Sequence, residues 1–182
     1  MIIMEKEIKT PQDILEYMDN IRYGYLDVDG EEHVNSLKDF RRLYRTMSLE
    51  DTLKHKLGTC IEQVYLMHSL LDEIGLPNKM FCTRIYETGH IDLDKDEHMH
   101  CFVLYYDKDG VHQIEHPNWE RKGLHHFKDE KEAITEINKI YVEMADGVAR
   151  PVTEFFEVES GLTFKEFNDY INSLDKKDDK KK

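Results

Sequence analysis

The stretch GTCIEQV, residues 58–64, joins a predicted tight loop directly to an apolar helix. Gly58 supplies the conformational freedom for a sharp turn into the helix, and the Thr59 hydroxyl can accept a hydrogen bond from an early backbone N–H as the N-cap. This places Cys60 in the first helical turn, at the positive end of the helix dipole. A thiol in that position is more acidic than usual, and its thiolate is the nucleophile. The stretch therefore predicts a reactive cysteine, with a buried core thiol as the alternative.

The helix that follows is apolar on nearly every face, which is typical of a helix buried inside a protein. Gly75 and Pro77 predict where it ends. Its apolar residues are Ile61, Val64, Tyr65, Leu66, Met67, Leu70, Leu71 and Ile74. A cysteine at the start of such a helix would be held by a rigid element of the core.

The chain of 182 residues is long enough for a single domain with a substantial core, which we expect to span residues 1–175. Residues 176–182 form a charged run that predicts a disordered tail. A formal net charge of −13 argues against nucleic acid and anionic membranes as partners. The 3 cysteines make no disulfide framework. Because no signal-peptide core or membrane-length apolar run is present either, we expect a cytoplasmic protein.

Capping residues and periodicity predict further helices and strands around this segment. Helices are predicted to begin after Thr10, Ser48 and Thr163, and over residues 37–47 and 129–144. Strands are predicted over residues 79–86, 98–106, 111–116 and 152–158.

The turn at residues 107–110, with the sequence DKDG, decides which side chains share a face of the predicted hairpin. A two- or four-residue connection pairs Tyr106 with Val111, which makes His100 and Glu115 diagonal neighbours on one face. An imidazole and a glutamate can span a diagonal gap of about 7 Å. A three-residue loop would reverse the parity and present His116 instead.

These residue types, in this order, indicate nucleophilic catalysis by a thiol. A thiol needs a base to take its proton and a third group to orient that base. We predict Cys60 as the nucleophile, His100 as the base and Glu115 as the orienting acid, with the Cys60 backbone N–H in the oxyanion hole. One rival base is His98, which lies on the same strand face as His100. The others are His112 and His116, which the alternative register of a three-residue loop would present instead.

Four short runs occur in one order: GTC at 58–60, LDEIGLP at 71–77, HCFVLY at 100–105 and EHP at 115–117. This set resembles the transglutaminase-like superfamily over residues 48–119. Members of that superfamily carry a Gly-x-Cys helix start, a Leu-Gly-Ile-Pro exit, a His-Ala-Trp-Val strand and an Asp-Pro-Thr element. Here Glu115 stands where the family usually has Asp, Cys101 and Phe102 replace Ala and Trp, and His116 precedes Pro117.

The resemblance implies a papain-like α+β fold, in which the cysteine-bearing helix packs on an antiparallel sheet with flanking helices. It also implies acyl transfer at an amide through a thioester intermediate. We expect a protease- or amidase-like hydrolase that acts on a peptide or amide substrate and needs no metal or other cofactor. Neither the identity of that substrate nor the oligomeric state follows from the sequence.

Four aromatic residues are candidates for contacting the substrate: Tyr23, Tyr25, Phe102 and Trp119. The tyrosines lie in an aromatic-rich run that could instead fill gaps in the core, and Trp119 could instead be a packing anchor. Two other functions stay open at this point. One is a catalytically inactive member of the family that keeps its groove for binding, and the other is a His/Cys metal-binding protein.

Overall fold

The computed structural model of the chain describes residues 7–87, 97–145 and 147–181. The helices in these ranges are α1 (Pro11–Met18), α2 (Phe40–Leu43), α3 (Leu49–His55), α4 (Cys60–Glu73), α5 (Glu130–Ala145) and α6 (Phe164–Lys181). The strands are β1 (Arg22–Leu26), β2 (Glu32–Val34), β3 (Leu57–Gly58), β4 (Asn78–Glu87), β5 (Glu97–Asp107), β6 (Gly110–Glu115), β7 (Gly123–Phe127), β8 (Gly147–Ala149) and β9 (Thr153–Phe155). None of these helices combines the length and the apolar character that crossing a membrane requires.

The described strands form two sheets. The larger sheet is antiparallel, with the order β7-β6-β5-β4-β8, and β9 also pairs with β4. The smaller sheet has the order β2-β1-β3, and its pairing of β1 with β3 is parallel. Through that pairing Tyr23 lies opposite Gly58, so the small sheet holds the loop that leads into α4.

Apolar side chains cover both faces of the larger sheet, because successive residues of a strand point to opposite sides. On one face Cys101 and Val103 of β5 join a core cluster with α4, α1 and α6. On the other face Phe102 and Leu104 join a second cluster with α5. The predicted α+β architecture, with the cysteine-bearing helix packed on an antiparallel sheet and other helices around it, is confirmed.

Helix starts follow the predicted capping chemistry. Thr10 and Asp13 form a reciprocal capping box at α1, and the Ser48 hydroxyl accepts from the Asp51 backbone N–H at α3. At α4, Thr59 is the N-cap, and its partner in a second capping box is Glu62. Reciprocal caps of this kind satisfy backbone N–H groups that the helix itself leaves unpaired.

One helix and several strands differ from the pattern-based prediction. The helix predicted over residues 37–47 is only α2, because Asp39 has a left-handed backbone with φ 57 and Tyr44 is extended. Tyr44 leaves the helix to bury its ring completely and to donate its hydroxyl to Glu62. Strands β2, β3, β7 and β8 have no counterpart among the predicted strands. The disorder expected for residues 176–182 stays a prediction.

We predict that Gly24→Ala lowers the free energy of unfolding by about 2–3 kcal/mol, because the new Cβ has no room. An ideal Cβ at Gly24 would lie 2.0 Å from the His33 carbonyl oxygen and 2.9 Å from Leu57 Cδ1. Urea denaturation measures the change. Gly30→Ala is the matched control, since Gly30 also has a positive φ but nothing within 4 Å of an added Cβ. An equal decrease in the free energy of unfolding of the two variants would contradict the close approach of Gly24 to the His33 backbone.

Candidate active site

Cys60 is the first residue of α4, and the loop before it is fixed by buried hydrogen bonds. The Thr59 backbone N–H donates to Glu62 Oε1 at 3.0 Å, and the Thr59 hydroxyl donates to the same oxygen at 2.8 Å. Gln63 Nε2 donates to the Gly58 carbonyl at 2.9 Å. Both Glu62 and Gln63 are buried within the first turn of the helix. These contacts hold the thiol at the positive end of the α4 dipole.

The β5–β6 hairpin has a two-residue turn. This is the connection for which the sequence predicts that His100 and Glu115 lie on one face. Asp107 lies opposite Gly110 and Tyr106 opposite Val111, so His100 and Glu115 share one face. Their side chains meet, with His100 Nε2 lying 3.3 Å from Glu115 Oε1. The diagonal pairing predicted from the turn is therefore confirmed. Because Nε2 faces the carboxylate, the other ring nitrogen, Nδ1, is left for Cys60.

The Glu115 carboxylate is buried, with 2% of its surface exposed, and it is surrounded by hydrogen-bond donors. Besides His100, the Tyr141 hydroxyl donates to Oε1 at 3.0 Å and Gln113 Nε2 donates to Oε1 at 3.2 Å. The Asn118 backbone N–H donates to Oε2 at 3.3 Å. Burial alone would raise the pKa of Glu115, but the hydrogen bond and charge of His100, aided by the other donors, hold that pKa below its usual range. Glu115 is therefore a charged acceptor for the imidazole.

The thiol and the imidazole form a coupled acid–base pair. The hydrogen bond from the Cys101 thiol is the largest cause that holds the pKa of Cys60 well below its usual range, and the hydrogen bond and charge of His100 add to it against the effect of burial. Burial lowers the pKa of His100, but its hydrogen bonds to Cys60 and Glu115 outweigh burial and raise that pKa to about 9. Both shifts favour the thiolate–imidazolium form of the pair over the neutral form.

Tyr141 of α5 positions the imidazole from the other side of the sheet. Its ring stacks on the His100 ring with the centroids 3.9 Å apart and an interplanar angle of 23°. Because the same tyrosine donates to Glu115, one side chain fixes both the tilt of the base and the position of its acceptor. The site thus lies where the two layers of the core meet: α4 brings the thiol, and α5 supports the ring.

A cavity of about 420 Å³ opens beside the thiol. Its walls are largely apolar and aromatic, with a few polar side chains. The lining residues are Tyr23, Leu37, Asp39, Phe40, Arg41, Thr59, Cys60, Ile61, His98, Met99 and Phe164. Cys60 is 9% exposed and lines this cavity. The volume suits a small ligand group bound next to the nucleophile.

The four predicted substrate contacts are placed very differently. Tyr23 lines the cavity together with Cys60. Tyr25 is fully buried with its hydroxyl bonded to the Lys38 carbonyl, and it supports the cavity only through an edge contact with Phe40. Phe102 faces α5 and packs on Phe81, because strand alternation turns it away from α4. Neither Tyr25 nor Phe102 can touch a ligand in this cavity.

Trp119 was the remaining candidate for a substrate contact, with a packing role as its alternative. Its side chain is 79% exposed, and it is absent from the cavity lining. Trp119 is therefore not a packing anchor, and in this arrangement it does not contact the cavity beside Cys60. The loop that carries it contributes to the site through the backbone of Asn118 instead.

The rival histidines have other surroundings. His98 lines the cavity, but the imidazole beside Glu115 is that of His100. His112 contacts Asp107 at 2.8 Å and stacks on Tyr105, away from the site. His116 Nδ1 donates to Gln63 Oε1 at 2.6 Å, so this residue ties the end of β6 to the first turn of α4. The described contact with the Glu115 carboxylate belongs to His100.

Within the described ranges, no group of three or more His, Cys, Asp or Glu side chains could hold a metal ion. The histidines that lie close together in the sequence have separate partners: His100 contacts Glu115, His112 contacts Asp107 and His116 contacts Gln63. A metal centre made of these described residues is therefore not supported.

Sequence reasoning missed several residues that build this site. A signal for Glu62 was available, because Thr59 and Glu62 have the spacing of a capping box. Cys101 is adjacent to His100, but no pattern predicts that its thiol faces Cys60. Tyr141 lies 26 residues beyond Glu115 on a different element, and no local signal could have found it.

No family model matches the chain, and no curated protein matches it. Among solved structures, the chain is similar to the NAT3 arylamine N-acetyltransferase from Bacillus cereus, whose structure is described as revealing a unique Cys-His-Glu catalytic triad. That match has 16% identity and a TM-score of 0.39, covering 62% of this chain and 44% of the other. Arylamine N-acetyltransferase C from Bacillus anthracis matches with 18% identity and a TM-score of 0.38, covering 62% of this chain and 43% of the other. This chain spans less than half the length of either enzyme, and likeness at these scores assigns no activity to it.

We predict that Cys60 reacts with iodoacetamide at mildly acidic pH and that His100→Ala removes this reactivity. The low pKa of Cys60 keeps the thiolate present as the pH falls, whereas an ordinary thiol with a pKa of about 8.5 loses reactivity roughly tenfold per pH unit. Without the imidazolium charge the pKa of Cys60 rises, so its labelling rate at about pH 6 should fall roughly tenfold or more. Timed labelling followed by mass spectrometry of the Cys60 peptide measures the rate. If His98→Ala slowed the labelling of Cys60 and His100→Ala did not, the base would be His98.

We predict that Glu115→Gln lowers the pKa of His100 from about 9 by at least about one unit, because the negative charge that stabilises the imidazolium is lost. The thiolate–imidazolium pair would then persist over a narrower range, with its upper limit moving down in pH. An NMR titration of the His100 ring measures the change. Tyr141→Phe is the matched control, since it removes one neutral donor to Glu115 and keeps an aromatic ring against His100, but leaves the carboxylate charged. An unchanged His100 titration in Glu115→Gln would contradict the orienting role of Glu115.

Proposed function

We propose that the protein is a cysteine-dependent acyl-transfer enzyme, and specifically a protease- or amidase-like hydrolase that forms a thioester on Cys60. The single observation that supports this proposal is the convergence of three side chains from separate elements. Cys60 lies at a helix N-terminus beside a cavity, His100 hydrogen bonds to it, and Glu115 accepts from the same imidazole. This is the nucleophile, base and orienting acid of a thiol triad.

The acylation step follows from the charges of the resting pair. The Cys60 thiolate attacks the carbonyl carbon of an amide bound in the cavity, and a tetrahedral oxyanion forms. The N-terminus of α4, with the Cys60 backbone N–H, is placed to stabilise that oxyanion. The His100 imidazolium then gives its proton to the departing amine, so the C–N bond breaks and a thioester remains on Cys60.

The deacylation step uses the same groups in reverse. After the first product leaves, His100 is neutral and can take a proton from a water molecule that attacks the thioester carbonyl. The C–S bond breaks, the acid product leaves, and the thiolate–imidazolium pair is restored. Glu115 stays charged throughout and holds the ring so that Nδ1 faces the sulfur.

The cavity limits what the acyl group can be. Its aromatic walls, formed by Tyr23, Phe40 and Phe164, favour an apolar acyl group or a single apolar side chain of a peptide. Arg41 packs its guanidinium over the Phe164 ring at 5.0 Å, which places a positive charge at the edge of this surface. A peptide or a small amide would satisfy both features.

The reaction also requires a compartment in which the thiol stays reduced. A cytoplasmic location, as expected from the sparse cysteines, belongs to the proposal for this reason. No cofactor is part of the proposed reaction, since each step uses only Cys60, His100, Glu115 and the substrate.

We predict that p-nitrophenyl acetate gives a burst of nitrophenol of about one equivalent per chain and leaves an acetyl group on Cys60. Stopped-flow absorbance measures the burst, and mass spectrometry of the quenched protein locates the adduct. Cys60→Ala should abolish both, and His100→Ala should slow the burst by roughly tenfold or more, because the interaction with His100 that lowers the pKa of Cys60 is lost. Cys82→Ala is the matched control, because it removes a buried thiol that does not line the cavity and leaves the nucleophile in place.

The fate of the thioester separates hydrolysis from transfer to another acceptor. Turnover in water without an added amine supports the hydrolase, whereas turnover only with an added amine would leave acyl transfer intact and exclude the hydrolase. Absence of any adduct on Cys60, in a folded protein with a reactive thiolate, would contradict the proposed enzyme. The inactive scaffold would then be the better description.

A further inference from the structure

All three cysteines of the chain lie in one core cluster. Cys82 of β4 and Cys101 of β5 are directly opposite each other in the strand ladder, so their side chains lie on the same face of the sheet. That face packs against α4, whose first residue is Cys60. The Cys101 thiol hydrogen bonds both to Cys60 and to Cys82. The three sulfurs therefore form a continuous row, with Cys101 in the middle.

The three thiols differ in access to solvent. Cys60 lines the cavity, whereas Cys101 is 1% exposed and Cys82 is fully buried. A small oxidant entering the cavity would therefore meet Cys60 first. Cys60 is also the thiol with the depressed pKa, and susceptibility to oxidation follows thiolate character and exposure together. The acyl-transfer steps involve neither Cys82 nor Cys101 as a covalent participant.

We propose that Cys101 is a resolving cysteine for Cys60: when a hydroperoxide oxidises Cys60 to a sulfenic acid, the Cys101 thiol condenses with it to form a Cys60–Cys101 disulfide. The geometric basis is that Cys60, at the start of α4, and the buried Cys101, on the face of β5 that joins the same core cluster, are packed together. A thiol adjacent to a reactive cysteine is the arrangement that stops oxidation at the reversible disulfide. The disulfide would switch off the nucleophile reversibly and prevent its permanent loss.

The chemistry balances with the groups present and one hydroperoxide. The Cys60 thiolate attacks the peroxide O–O bond, which breaks to give the sulfenic acid and hydroxide, and the His100 imidazolium protonates that hydroxide to water. The Cys101 sulfur then attacks the Cys60 sulfur. The S–O bond of the sulfenic acid breaks as the S–S bond forms, and the departing hydroxide takes the proton of the Cys101 thiol to leave as a second water. Two thiols are oxidised by two electrons in total, and the peroxide is reduced.

The buried position of Cys101 supports this order of events. The pKa of the Cys101 thiol is raised well above its usual range by burial and by its hydrogen bonds to Cys60 and Cys82, so it stays protonated beside the Cys60 thiolate. Conversion of Cys60 to a neutral sulfenic acid removes one negative charge from beside Cys101. Cys101 is therefore inert until Cys60 has been oxidised, and it becomes a better nucleophile afterwards.

The inference requires the reactive Cys60 thiolate but not acyl transfer, so the two proposals can fail separately.

The test uses the full chain with Cys82→Ser, because the Cys82 thiol could otherwise exchange with the new disulfide. The reduced protein is treated with hydrogen peroxide, free thiols are blocked, and the peptides are mapped without reduction. We expect an intrachain Cys60–Cys101 disulfide, with iodoacetamide labelling of Cys60 fully restored by dithiothreitol.

Cys101→Ser is the comparison, since serine keeps a hydroxyl donor next to Cys60 but cannot form a disulfide. After the same treatment we expect Cys60 sulfinic acid, and at least a roughly tenfold smaller fraction of Cys60 recovered by dithiothreitol. Sulfinic acid without a disulfide in the Cys82→Ser protein, or a disulfide between chains only, would overturn the proposal. Equal recovery of Cys60 in the two variants would overturn it as well.

If Cys101→Ser does not fold, the disulfide map of the Cys82→Ser protein decides the question by itself. Acetylation of Cys60 by p-nitrophenyl acetate is measured on the same reduced sample. A disulfide without acetylation would support the resolving role and contradict the proposed acyl transfer. Acetylation without a disulfide would support the proposed acyl transfer and contradict the resolving role of Cys101.

Discussion

The buried Glu115 carboxylate is the charge on which the arrangement of the site depends. A carboxylate with almost no exposure to water is costly unless donors surround it. Here the donors come from the imidazole of His100, two other side chains and a backbone N–H, and they belong to β5, β6, the loop after β6 and α5. Satisfying this one charge therefore brings four parts of the fold together. His100, held by this carboxylate, adds to the effect of the Cys101 hydrogen bond in lowering the pKa of Cys60.

The location of the site at the junction of two core layers explains its rigidity. On one side α4 is buried against the sheet and presents Cys60 at its first turn, held by the capping box of Thr59 and Glu62. On the other side α5 places Tyr141 flat against the imidazole. Neither helix could shift without breaking contacts in its own core cluster. The thiol and the base are thus fixed relative to each other by packing on both faces of the sheet.

The acidity of the chain as a whole and the electrostatics of the site are separate matters. The formal net charge is −13, yet the local environment of Cys60 is dominated by a helix N-terminus, an imidazolium and the Cys101 thiol. Each of these favours a negative sulfur. The large negative charge of the surface is well screened by salt, whereas the buried pair is screened much less. The reactivity of the thiol is therefore set by a few neighbours rather than by the overall composition.

Short-range chemistry is what the sequence alone determined about this protein. The start of α4 follows from the cap at Thr59, and the meeting of His100 with Glu115 follows from a two-residue turn and the period-two alternation of strands. These inferences work because hydrogen bonds of a helix cap and the register of a hairpin involve residues close together in the chain. They were enough to predict that a base and an acid would meet, and to place the thiol at a helix start.

Only the tertiary structure decided which faces point toward each other. The same alternation that paired His100 with Glu115 turns Phe102 toward α5 and Cys101 toward α4, and nothing in the local pattern says which helix covers which face. Tyr25 looked equivalent to Tyr23 in the sequence, yet one is sealed in the core and the other lines the cavity. The stacking of Tyr141 and the row of three thiols likewise come from elements distant in the chain. Packing between such elements depends on the shape and burial of the whole core, which local propensities do not encode.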